Sequence, residues 1–148
     1  SLGGLYARLY ATDRPRDISG LVLVDPAHED MPQKVRTGMP EQDWNAWVWA
    51  RGEPNQDGVA ESVVGDRLRN FRLPEIPVTV ITATIRQDGD GWDARFINEA
   101  ARQVHASILQ GVMIARHVPA SRSGYDVHLD QPQLVADEIF RMVRATRR

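Results

Sequence analysis

The sequence contains no cysteine. Disulfides, thiolate nucleophiles and cysteine-ligated metal are therefore excluded. No apolar run reaches the length needed to span a bilayer, and no basic block forms a footprint for a phosphate backbone. The four histidines are widely spaced, and neither His-x-x-x-His nor His-Glu-x-x-His occurs. Hence no metal is expected, and neither nucleic acid nor membrane is an expected partner. No internal repeat or low-complexity tract is present. No signal peptide opens the chain, and the cytoplasm is the expected location.

What is present suits one domain with a real core. The chain has 148 residues, 42% hydrophobic and 26% charged, with a net charge of −2. A chain of this size buries roughly 70% of its unfolded surface. Aromatic residues make up only 7%, so the clustering of Trp44, Trp47 and Trp49 within ten residues is a local feature that calls for a reason.

Periodicity divides the chain into alternating elements. Leu5, Leu9 and Thr12 recur at helical spacing in "GGLYARLYATDRP", which predicts a helix over 2–12 ended by Pro15. The continuous apolar run Leu21 to Val24 predicts a strand covered on both faces, as in a parallel sheet. Asp25 and Pro26 end it. "MPEQDWNAWVWARG" and "VAESVVGDRLRNF" predict two helices within an insert over 30–72. The β-branched run from Val78 to Ala83 predicts a second strand. "WDARFINEAARQVHASI" predicts a helix, "GVMIARHVPAS" a third strand, and "PQLVADEIFRMVRATR" a terminal helix. This order predicts an α/β fold with a mostly parallel sheet of about three strands. Such a sheet has two open edges, so pairing with a further N-terminal half or with a second chain is expected.

The segment "SLGGLYARLYATDRPRDISGLVLVDPAHED" resembles the nucleophile segment of the α/β-hydrolase family, whose pattern is Gly-x-Ser-x-Gly on a sharp strand-to-helix turn. Ser1-Leu2-Gly3-Gly4 match its second half. The order that follows strengthens the likeness: "GLVLVDP", a Trp-rich insert, "PVTVITA", and "SGYDVHLDQPQLV" before a last helix. Across nearly its whole length the chain resembles the C-terminal half of a cap-bearing α/β-hydrolase. The resemblance implies a partial α/β-hydrolase fold over 1–148, with 30–72 as a helical cap and the central strands and first oxyanion loop upstream of residue 1.

It also implies roles. Ser1 matches the nucleophile, and the Leu2 backbone N–H would be one oxyanion donor. The triad acid has two possible places: Asp25, at the end of the first strand, or Asp88 (with Asp90 beside it), after the second. Without the resemblance, Asp25 is an Asp-Pro turn at a strand end, and Asp88 and Asp90 sit in a solvated loop. The family's histidine stands seven residues ahead of a proline. Counting back seven from Pro132 reaches Tyr125, whose phenol has an ordinary pKa near 10 and is a poor base at neutral pH. His128, three residues on, is the candidate base or else a scaffold residue. His28, Trp44, Trp47 and Tyr125 are candidates for lining the substrate pocket, although the tryptophans serve equally as packing for a small cap. His105 and His117 are expected to be packing or polar residues.

The implied activity is acyl-enzyme hydrolysis of a small, fairly apolar ester, amide or lactone, for which no organic cofactor is expected. The main alternative is a truncated or divergent chain that binds without catalysing, because Tyr125 stands where the histidine is expected. An N-terminal-nucleophile role for Ser1 conflicts with the helix that follows it. Haloalkane or epoxide cleavage in this fold uses Asp at the nucleophile position, which Ser1 does not supply.

Overall fold

Leu21-Val22-Leu23-Val24 is apolar on both faces, and in a computed structural model of the chain it forms a strand with neighbours on both sides of its plane. The structure describes residues 1–50, 60–70, 72–85 and 94–147, without the side chains of 46–50 and 94. Three strands lie among these residues: β1 (Leu21–Val24), β2 (Val78–Ala83) and β3 (Ala115–Ala120). They pair in the order β1-β2-β3, all parallel, with Leu21 opposite Val78 and Val78 opposite Ala115.

The fold is thus of the α/β class. Helix α1 (Gly3–Asp13) precedes β1. Helices α2 (Met31–Arg36), α3 (Glu41–Ala50) and α4 (Glu61–Arg69) lie between β1 and β2. Helix α5 (Ala94–Ile108) connects β2 to β3, and α6 (Val127–Asp130) and α7 (Pro132–Thr146) follow. Two of these elements, α2 and α6, arise where the apolar pattern predicts none. They have six and four residues, with one buried side chain each, Val35 and Val127. Elements that short show no measurable helical period.

The alternation of side chains along the strands sorts the core into two layers. On one face Leu21, Leu23, Val78 and Val80 pack with Ala11 of α1 and Ile108 of α5. On the other, Ile81, Ala83, Val118 and Ala120 pack with Val127, and Val22, Val24, Leu134 and Val135 close over them. Every side chain of β2 is buried, as befits the central strand. Burial of each Val or Ile there contributes about 1.5–3 kcal/mol. The partly exposed β3 carries Pro119, a residue tolerated at a sheet edge.

Helix α4 packs on α1, and α2 packs on α5. The insert therefore rests on the helices of one face. Among the described residues no helix is long and apolar enough to cross a membrane.

Candidate active site

The carboxyl ends of parallel strands are where α/β sheets place ligand sites. Here that edge begins with Asp25, directly after β1. Its φ is 42°, in the left-handed region that Asp tolerates better than most residues. Only 4% of the residue is exposed.

Several bonds fix this conformation. The Asp25 N–H donates to the Ile81 carbonyl at 2.8 Å. Its carboxylate Oδ1 accepts the Ala83 N–H at 3.1 Å. The Ser1 nitrogen donates to the Asp25 carbonyl at 2.6 Å, and the Ser1 carbonyl accepts the Ala27 N–H at 2.8 Å. Behind the turn, His105 Nε2 donates to the Pro26 carbonyl at 2.7 Å. The turn is over-determined, which is how a left-handed non-glycine residue persists.

Ser1 is therefore held at the sheet edge, at the entrance to α1. Leu2 is the N-cap of that helix and makes no side-chain cap bond. Within this first turn the Gly4 N–H donates to the Ser1 carbonyl at 2.9 Å and the Leu5 N–H to the Leu2 carbonyl at 3.0 Å. Gly4 explains how close the helix comes. A Cβ there would lie 2.3 Å from Pro26 Cβ and 2.8 Å from Pro26 Cα, so only glycine fits against the Asp-Pro turn. At Gly3 a Cβ would meet nothing within 4 Å.

The segment after β3 reaches the same edge. The Ile85 N–H, just past β2, donates to the Ser123 carbonyl at 3.0 Å. Gln131 accepts from the Arg122 N–H at 2.8 Å and from the Ser123 hydroxyl at 2.9 Å, and Asp130 accepts the Gly124 N–H at 2.9 Å. These bonds fix the turn carrying Tyr125, which is 58% exposed. His128 is exposed on α6 and has no hydrogen bond or ion pair among the described residues. The fold thus brings Ser1, Asp25 and the Ser123–Tyr125 turn to one edge of the sheet, while His128 is joined to none of them. Asp88, Asp90 and the side chains of Trp47 and Trp49 lie outside the described residues. Trp44 is half-buried, and the Arg36 guanidinium lies 5.4 Å from its ring centroid.

His28 belongs to a different group of residues. Its Nδ1 accepts the Asp30 N–H at 3.0 Å, so the ring proton sits on Nε2 and is donated to Ser107 Oγ at 3.1 Å. Ser107 in turn donates to the Val104 carbonyl at 2.7 Å. Burial, and next the positive charge of Arg8, lower the His28 pKa to about 4. The ring is neutral, with both nitrogens in use. It lines a cavity with Arg8, Glu29 and Ser107, and neither Ser1 nor Asp25 lines that cavity.

The two remaining histidines flank Thr82. Its Oγ1 lies 2.8 Å from His105 Nδ1 and 2.7 Å from His117 Nε2. With both rings neutral, the Pro26 carbonyl requires the proton on His105 Nε2. Thr82 then donates to His105 and accepts from His117. Burial lowers the His117 pKa, which favours that neutral ring. These are packing histidines with satisfied bonds, and one of them tethers the Asp25–Pro26 turn.

Sequence reasoning passes over the Arg8–Glu29 pair, in which Arg8 Nη2 donates to Glu29 Oε2 at 2.5 Å with both side chains buried. One signal was available. Arg8 falls on the buried stripe of α1 with Gly4, Leu5 and Ala11, and a charged residue there needs a partner. No protein-family model matches the chain, and no curated protein matches it either.

Proposed function

We propose that this chain carries the catalytic edge of a serine hydrolase of the α/β-hydrolase type, acting on a small, fairly apolar ester, amide or lactone. The observation that supports this best is the Ser1 turn. The Ser1 carbonyl accepts the Ala27 N–H, just past the left-handed Asp25 at the carboxyl edge of a parallel sheet, at a helix start packed so closely that Gly4 has no room for a Cβ. In this reading Ser1 Oγ attacks the substrate carbonyl and His128 takes its proton. The Leu2 N–H donates to the oxyanion that forms. The tetrahedral intermediate then collapses to the acyl–serine ester as its bond to the leaving group breaks and His128 protonates that group. In the second half His128 deprotonates a water that attacks the ester carbonyl, and Ser1 Oγ leaves with the proton returned by His128 as the acid departs. The resemblance assigns the triad acid to Asp88, and Asp25 serves as the clamp between β1 and β2. Helices α2–α4 act as the cap insert, with Trp44 and Tyr125 toward the substrate. Further strands add to the open edge of the sheet, from a preceding segment or from a second chain.

A second reading has its own support. Tyr125 occupies the position of the expected histidine, and His128 is exposed without a partner among the described residues. Both favour a scaffold that binds without turnover. Hydrolysis of p-nitrophenyl butyrate by the purified chain separates the two. The hydrolase reading predicts turnover that Ser1→Ala abolishes. Turnover unaffected by Ser1→Ala removes Ser1 from the mechanism, and a folded chain without turnover favours the scaffold.

A further inference from the structure

Pro26 and Ala27 share one peptide unit, and both of its polar ends are in use. The Pro26 carbonyl accepts from His105 Nε2 at 2.7 Å. The Ala27 N–H donates to the Ser1 carbonyl at 2.8 Å. A peptide unit is planar, with its C=O and N–H pointing in opposite directions. Whatever fixes the carbonyl therefore fixes where the N–H points. His105, on α5, is thus linked to Ser1 through a single rigid plane.

His105 is itself held in one orientation. The residue is buried, as is Thr82. Its Nε2 carries the proton that the Pro26 carbonyl accepts, so its Nδ1 accepts from the Thr82 hydroxyl at 2.8 Å. Thr82 Oγ1 in turn accepts from His117 Nε2 at 2.7 Å. Every donor in this chain points toward the turn, and bonds in such a chain strengthen one another. Filling the core alone asks for no such chain. An apolar side chain would occupy the space without burying an imidazole.

We propose that His105 is a positioning residue for Ser1, acting through the Pro26–Ala27 peptide plane. It touches neither substrate nor reacting atoms. It holds the plane whose N–H anchors the Ser1 carbonyl, and so sets where Ser1 Oγ stands at the sheet edge. This role rests on the reading of Ser1 as the nucleophile, but the seating of the turn is measurable without turnover.

The test compares His105→Asn with His105→Gln. Asn places a polar group where Nδ1 stands, for Thr82, and does not reach Pro26. Gln places its amide nitrogen where Nε2 stands and keeps that bond. Amide hydrogen exchange reads the turn, with Ala27 measured against Val80 in the core. His105→Asn is expected to speed exchange at Ala27 about fivefold relative to Val80, the size of one lost hydrogen bond. It is also expected to lower kcat for p-nitrophenyl butyrate about tenfold or more, with KM nearly unchanged. His105→Gln recovers both. Equal acceleration at Ala27 and Val80 marks a loss of global stability alone and overturns the proposal, as does an Ala27 rate that His105→Asn leaves unchanged. A parent chain without turnover removes the nucleophile reading, and the exchange rates still decide whether His105 seats the turn. If His105→Asn fails to fold, a two-bond proton–nitrogen correlation on the parent chain decides. A proton on His105 Nε2 supports the proposal, and one on Nδ1 overturns it.

Discussion

Asp25 accepts the Ala83 backbone N–H on its carboxylate Oδ1 at 3.1 Å, so this acidic side chain joins the carboxyl ends of β1 and β2. The bond is buried. Replacing Asp25 by Ala is expected to destabilise the chain by about 1–3 kcal/mol, because a buried acceptor is lost. Asp25→Asn keeps an amide oxygen in the same place and is expected to recover most of that loss. Urea unfolding measures both. Ester turnover then separates the clamp from the triad acid. A clamp leaves Asp25→Asn active, whereas an acid that orients histidine loses about 10³–10⁴-fold.

Gly4 and Gly3 make a matched pair on one helix. Ala is the better helix former by about 1 kcal/mol. At Gly3 the added methyl meets open space, so Gly3→Ala is expected to be neutral or stabilising. At Gly4 it meets the Pro26 backbone, and overpacking costs about 1–3 kcal/mol. Thermal unfolding should therefore move in opposite directions for the two variants, or fall for Gly4→Ala alone.

His28 gives stability a pH dependence of known sign. Folding lowers its pKa from the ordinary 6.5 to about 4. Between those values the unfolded chain binds a proton that the folded chain does not. The contribution of His28 is fully present above its unfolded pKa and is lost as pH falls toward 4, by about 3 kcal/mol at most. His117, also lowered by burial, adds a slope of the same sign. Unfolding free energy measured across this window should flatten in His28→Gln, and the difference from the parent chain isolates His28.

Much of the architecture was legible because its elements are long or strongly apolar. "LVLV" and "VTVITA" are covered on both faces, and continuous apolar runs report that directly. Helix α7 carries a helical repeat over fifteen residues. The short α2 and α6 were not legible, since each buries a single side chain. Ser1 and Asp25 meet through backbone groups, and an Asp-Pro strand end signals only that a turn occurs. The His28–Ser107 bond joins residues 79 positions apart, a separation that no local pattern encodes. Arg8 was the available clue, as a charge on a buried stripe.

The central claim is that Ser1 is a nucleophile. Intact mass spectrometry after treatment with a fluorophosphonate tests it most directly, because the probe bonds to an activated serine and fragment masses locate it. The account predicts one adduct per chain, mapped to Ser1 and lost in both Ser1→Ala and His128→Ala. A folded chain that takes no adduct, or one labelled elsewhere with Ser1 unmodified, would contradict it.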